Sequence, residues 1–293
     1  MSVPLTAIPR PQWREKFTYL TWQIRRSPLT MAGLLITLMV VMCMIFAPWL
    51  ASHAPNTLNL AERLAPPSAE HWFGTDEVGR DLFSRVLYGS QQSVGVGLFV
   101  AFASCFIGGL LGCFSGVIGG RFDALTMRLM DIMLSVPSLV LIMALAAALG
   151  ASLFNAMLAI TLVRIPSYVR LARGQALGIR QMGYVKAAET FGAQRWHMVH
   201  WHVARNAMPP LLVQLSLDIG SAILMASALG FIGLGAQQPT AEWGAMVATG
   251  RNYILDNWWY STFPGLAILI TATGFNLLGD GVRDLLDPRQ QGK

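Results

Sequence analysis

Three histidines, His197, His200 and His202, stand in the spacing H-x-x-H-x-H, close enough in sequence to raise a transition-metal site. No carboxylate or thiolate stands beside them to complete one, and Trp196 and Trp201 interleave with them, so the cluster reads as a surface that touches a partner. Cys43, Cys105 and Cys113 lie in apolar runs without C-x-x-C spacing, where a thiol behaves as a small hydrophobe rather than a metal ligand or half of a disulfide. Nucleophile chemistry has no G-x-S-x-G element, and ATP hydrolysis has no G-x-x-x-x-G-K-S/T phosphate loop. These residues describe a chain that is not itself an enzyme and calls for neither metal nor cofactor. Any energy it uses comes from another polypeptide or from an ion gradient.

The remaining chemistry lies in ionisable groups within apolar runs, where each costs ~2.5–3.5 kcal/mol near a helix centre on the insertion scale. Asp218 stands about nine residues inside such a run with a side chain too short to reach the interface. It should face a bundle interior, either as a structural hydrogen-bond partner or as a group lining a translocation path. Arg164, near the end of its run, is expected to snorkel to the cytoplasm. Asp131 follows Arg128 by three residues, which puts the two on one helix face and predicts an interfacial ion pair, a transport role being the alternative.

The elements that hold these groups follow from composition. Of the 293 residues 54% are hydrophobic and 12% charged, with a mean hydropathy of +0.50, against roughly 25% charged in a soluble domain. The net charge of +6 does not indicate nucleic-acid binding, because the basic residues fall between apolar runs rather than on one face.

Spanning a bilayer takes ~20 mostly apolar residues, and six such runs are present: Leu29 to Ala51, Val94 to Ile118, Leu125 to Leu149, Leu153 to Leu171, Pro209 to Leu234 and Phe263 to Leu278. The first is too long for a signal-peptide core and is read as a retained span. With the N-terminus inside, seventeen of the twenty-one Lys and Arg residues lie on the cytoplasmic side, so both termini are expected there. Residues 1–28 and 284–293 are then cytoplasmic tails, 29–51 the first span, 52–93 a periplasmic segment, and 94–283 a core carrying a long cytoplasmic loop at 172–208.

Long loops carry function more often than turns do. The outer segment becomes charged and amphipathic from Gly74 to Tyr88, which suggests a short helix on the membrane surface. The cytoplasmic loop reads as two short helices, Tyr184 to Phe191 and Ala193 to Ala204, joined at Gly192, with Pro209-Pro210 at the start of the fifth span. Gly108, Gly112, Gly116 and Gly120 recur every four residues and predict close helix packing in lipid, a glycine-lined pore being the alternative. Trp258-Trp259-Tyr260 reads as an interfacial aromatic belt.

Within the cytoplasmic loop, Lys186-Ala187-Ala188-Glu189-Thr190-Phe191-Gly192 combines a smooth alanine face with a glycine turn, the shape of a docking element or of a generic polar connector. The stretch resembles the coupling loop of ABC importer permeases, whose pattern is E-A-A, three residues, G, nine residues, I, one residue, L-P. Ala187, Ala188 and Gly192 fit; Lys186 replaces the Glu, His202 the Ile, and Ala204-Arg205 the Leu-Pro. His71 to Arg85 resembles the F-G-T-D-x-x-G-R-D-x-x-S-R pattern of the dipeptide and oligopeptide permeases. Asp131 to Pro137, Phe231 to Ala236, Glu242 to Met246 and Asn276 to Asp284 resemble further motifs of that family, in order. Within it, the second or C-type permeases of D,D-dipeptide importers look closest.

The resemblance implies an all-α bundle of six membrane-spanning helices, of the type I importer permease kind, in the bacterial inner membrane. It implies as partners a homologous second permease, cytoplasmic ATP-binding-cassette ATPases and a periplasmic solute-binding protein, with lipid around the bundle and no nucleic acid. Tyr184, Lys186, Ala187, Ala188, Gly192, Trp196, His202 and Arg205 become the ATPase-coupling residues, and Asp218 the candidate on the path. Oligopeptide, glutathione and nickel-chelate carriers share these motifs, and an ion-driven secondary transporter is the rival class, which would be expected to show inverted repeats and broken helices.

Overall fold

Apolar runs of this length in lipid must satisfy every backbone N–H and C=O internally, and helices do so within one segment. The structure, a computed structural model, describes residues 27–286, so the five basic residues of the N-terminal tail lie outside the described residues. Among the described residues the elements are helical, with no strand.

Helix α1 spans Pro28–Leu50, opened by Ser27, whose Oγ accepts from the Thr30 amide, and by proline in the first turn. Helix α2 runs without a break over Leu82–Ile118 and ends at Gly119, at φ +67°. Thirty-seven residues rise about 55 Å, well beyond a hydrocarbon core of about 30 Å. From Leu82 the stretch to Tyr88 is therefore the N-terminal end of this helix and not a separate surface helix.

Helices α3 (Gly120–Ser135) and α4 (Ser138–Leu149) meet at 93°, where the sequence suggested one straight span from Leu125 to Leu149. Pro137 explains the break: it forces Val136 into extended backbone, at φ −96° and ψ 137°, and ends α3. Helix α5 covers Leu153–Arg180, α6 Gly183–Thr190, α7 Arg195–Ile232, α8 Trp243–Gly250 and α9 Trp259–Leu286. Among the described residues four helices, α1, α2, α7 and α9, are long and apolar enough to cross a membrane, and the bent α3–α4 pair makes a fifth if it counts as one span. Helix α5, with Arg164, Arg170, Arg173 and Arg180, is not among them.

The most extensive packing joins α2 to α5. A Cβ on Gly108 would lie 2.6 Å from Tyr168 Cβ, one on Gly112 2.4 Å from the Val169 carbonyl oxygen, and one on Gly116 2.6 Å from Ala176 Cβ. The three glycines thus face a helix and not a channel. Gly120 does not continue the stripe: it lies past the turn at Gly119, at φ +60°, with nothing within 4 Å of its would-be Cβ. Gly112→Val is expected to cost about 1–3 kcal/mol, the range for overpacking, lowering the melting temperature in detergent. Gly95→Ala, in the same helix beside open space, should hold it or raise it slightly, since alanine favours helix over glycine by about 0.5–1 kcal/mol. Equal melting of the two variants would remove the packing role from Gly112.

The outer segment folds into a cap over the ends of α2 and α9. Asp76 Oδ1 accepts from the Val78 amide (3.0 Å) and the Arg80 amide (2.9 Å), while Gly74 and Gly79 turn at φ +75° and +77°. Asp81 caps α2 by accepting from the Ser84 amide at 2.8 Å. Arg85, 1% exposed, donates to the Pro55 carbonyl (3.0 Å), Asn56 Oδ1 (3.0 Å) and the Pro239 carbonyl (3.3 Å). The cap buries Trp259 and Tyr260, whose hydroxyl donates to Glu77, and leaves Trp258 exposed. The three aromatics are therefore not a belt, because two of them are roofed by residues from far earlier in the chain.

Candidate functional site

Helix α6 has one buried residue, Val185. It inserts into an apolar cluster with Cys113, Val117, Ala176, Ile179, Met198, Val199 and Val203, which pins the short helix beneath the bundle. The chain then reverses at Gly192, at φ +82°, closed by donation from the Phe191, Gly192 and Ala193 amides to the Ala187, Glu189 and Ala188 carbonyls, each 3.0 Å. Nothing lies within 4 Å of a would-be Gly192 Cβ, so glycine is needed for backbone conformation and not for space.

The returning chain enters α7 at Arg195. Residues Met198–Ala204 are wound as a π-helix and continue directly into the long apolar helix. The second short helix expected from Ala193 to Ala204 is therefore the end of α7 itself, and Pro209 and Pro210 sit inside it. The turn at Gly192 therefore leads directly into a helix that continues without a break to Ile232.

Around this turn large apolar side chains stand in the open: Phe191 is 91% exposed and Trp196 66%. Lys186 and Ala187 are exposed and Ala188 half-buried. Tyr184 Oη accepts from Asn206 Nδ2 at 3.0 Å, and its ring lies 6.1 Å from that of His202. Trp196 stacks on Phe114 of α2 at 5.1 Å. Arg205 is exposed on α7, one turn further along. The structure so gathers Tyr184, Lys186, Ala187, Ala188, Gly192, Trp196, His202 and Arg205 at one end of the bundle. Phe191, not among the expected coupling residues, is the most exposed large side chain of this turn. Its signal was a large aromatic immediately before a glycine turn between two polar helices.

Asp218 is not part of this surface; it lies in the bundle interior. Its Oδ1 accepts from Arg164 Nη1 at 3.1 Å and from Gln214 Nε2 at 3.2 Å, and Arg164 Nη2 donates to Ser221 Oγ at 2.8 Å. Arg164 thus turns inward to a buried acid and does not snorkel, because a nearby counter-charge outweighs a stretched route to the interface. Asp131 likewise pairs with Arg170 of α5, at 2.6 Å, and not with Arg128. A third bridge, which sequence reasoning did not consider, joins Arg173 to both oxygens of Asp123, at 2.5 and 2.7 Å.

The sequence of the chain matches known families. The family described as binding-protein-dependent transport system inner membrane component matches residues 108–292, and that described as the N-terminal TM domain of oligopeptide transport permease C matches residues 16–67. The chain is 68% identical over 290 residues to the "Probable D,D-dipeptide transport system permease protein DdpC" of Escherichia coli, covering 98% of this chain and 97% of that one. It is 42% identical over 279 residues to the dipeptide transport system permease protein DppC of Alkalihalophilus pseudofirmus (95% and 90%). It is 45% identical over 265 residues to the di/tripeptide transport system permease protein DppC of Pseudomonas aeruginosa (88% of each).

Proposed function

Since the chain belongs to the family of binding-protein-dependent transport system inner membrane components, we propose that it is a permease subunit of an ABC importer that carries D,D-dipeptides across the bacterial inner membrane. The observation that carries the reading is identity of 68% along nearly the whole of both chains with a D,D-dipeptide permease. A permease of this kind is not an enzyme, and ATP is hydrolysed by a separate subunit.

Six membrane-spanning helices with both termini cytoplasmic are part of the proposal. The sixth is α5, and pairing of Arg164, Arg170 and Arg173 with acids from α7 and α3 supports it, since neutralised arginines cost less in lipid than bare ones. On this reading residues 52–93 face the periplasm, where a solute-binding protein delivers the dipeptide, and residues 172–208 form the coupling loop. A homologous permease completes the path, with Asp218 near it.

An ATPase docks on Tyr184, Lys186, Ala187, Ala188, Gly192, Trp196, His202 and Arg205, with Phe191 as the apolar knob. Closure of the ATPase pair on ATP pushes α6 and the Gly192 turn, and α7 carries the displacement into the membrane. Extraction of the C-terminally tagged chain in mild detergent should recover a second permease and an ATPase with a phosphate loop. Uptake of D-alanyl-D-alanine should stop when ATP is depleted with the ion gradient held. Uptake that persists under those conditions would overturn the reading in favour of an ion-driven carrier.

A further inference from the structure

Outside the coupling surface, the densest group of titratable side chains lies in the outer cap. His53 stands three residues beyond the end of α1, Glu70 and His71 lie on the loop, and Asp81 begins α2. One ligand atom from each of His53, Glu70 and His71 lies within 4.8 Å of the other two, and the two imidazole rings are 4.9 Å apart.

His71, 6% exposed, lies between two carboxylates. Its Nδ1 is 2.9 Å from Asp81 Oδ1, and its Nε2 is 3.2 Å from Glu62 Oε2. A neutral imidazole carries one N–H and one lone pair. With the proton on Nδ1, held by Asp81, the Nε2 facing the Glu62 carboxylate is satisfied either by a second proton, which makes both nitrogens donors, or by a metal ion that takes the lone pair and the carboxylate together, so metal and proton compete for this nitrogen. Asp81 is itself immobilised as the cap of α2. It therefore occupies the place of the outer carboxylate that orients a metal-bound histidine.

We propose that His53, His71 and Glu70 form a transition-metal site in the cap, with Asp81 as the positioning residue for His71 and Glu62 as a further carboxylate beside Nε2. The donor set selects the ion. Two imidazoles with one or two carboxylates suit Zn2+ or Co2+, whereas Mg2+ and Ca2+ favour all-oxygen sites. Bonds of 2.0–2.2 Å place tetrahedral ligand atoms about 3.3 Å apart, so the group must contract. Glu70, exposed, and His53, half-buried, have the freedom to do so.

Such a site would clip the end of α1 to the start of α2. The His53 amide already donates to Ser84 Oγ at 3.1 Å, so the clip would lock a contact that exists without metal. Metal would then stabilise the cap by an amount that grows with the logarithm of its free concentration once that exceeds the Kd. The inference is independent of which solute is carried.

The test uses the full-length chain, purified with the subunits it retains, placed in lipid nanodiscs, stripped with EDTA and titrated with Zn2+ against a chromophoric chelator. One Zn2+ per chain is expected in the micromolar range or tighter, and Co2+ should give the visible absorption of a tetrahedral site. His53→Ala and Glu70→Gln should each weaken binding at least about tenfold and remove the Co2+ band, while melting like the parent in EDTA. His197→Ala and His200→Ala should change neither readout. Absence of micromolar binding, binding unaltered by His53→Ala and Glu70→Gln, or binding that follows His197 and His200, overturns the proposal.

Discussion

Replacement of Gly192 by proline is expected to reduce uptake to background while the chain remains in the membrane at its normal level. Proline holds φ near −65°, and the turn requires +82°. The substitution also deletes the amide that donates to the Glu189 carbonyl at 3.0 Å. A strained residue of this kind costs about 1–3 kcal/mol, and a lost hydrogen bond about 1 kcal/mol more. Neither burden falls on the spans, since only Val185 anchors α6 in the apolar cluster. The loop can therefore re-fold while the bundle holds.

A bulky charge at Ala188 should act by another route, leaving the turn intact and spoiling the surface. Phe191→Asp, at a side chain 91% exposed, should weaken ATPase retention on purification without altering the melting of the chain alone. Uptake of labelled dipeptide, measured beside membrane level, separates these effects. Normal uptake by both Gly192→Pro and Ala188→Glu would sink the coupling role of this loop.

The second large effect is expected at the Arg164–Asp218 pair. Arg164→Met leaves Asp218, 5% exposed, with an uncompensated charge, and breaking a buried pair in this way costs about 3–5 kcal/mol. Asp218→Leu should cost less, because the Arg164 side chain is 23% exposed and can redirect toward water. The double variant removes both charges and should recover most of the loss, as isosteric apolar replacements of buried pairs often do. Melting in detergent across the four proteins measures this coupling. Additive losses would show that the two residues do not act as a pair. If Asp218→Asn melts normally yet carries no solute, the pair serves the path rather than the bundle.

Much of this protein could be read along the chain because the relevant physics is local. Apolar runs of membrane length and sparse charge are properties of contiguous residues, and they specify a helical membrane protein. The alanine pair and Gly192 mark the turn between α6 and α7 for the same reason, since a positive φ is a demand that a single residue must meet. Family membership was legible in several ordered motifs, from His71-Trp72-Phe73-Gly74 to Asn276-Leu277-Leu278-Gly279.

What the tertiary structure decided is who meets whom. Sequence proximity paired Arg128 with Asp131 and sent Arg164 outward; packing of α5 against α3 and α7 brought Arg170 and Asp218 to them instead. Gly120 shares a four-residue spacing with Gly116, yet a turn at Gly119 takes it off the α2 face. Trp259 and Tyr260 look like interfacial aromatics until the cap, folded from residues almost two hundred positions earlier, closes over them. Nothing in the sequence links His53 to His71, eighteen residues apart, because a cluster assembled by loop closure leaves no periodic trace. Spacing along a helix reports the face a residue occupies, and only the packed bundle reports what that face touches.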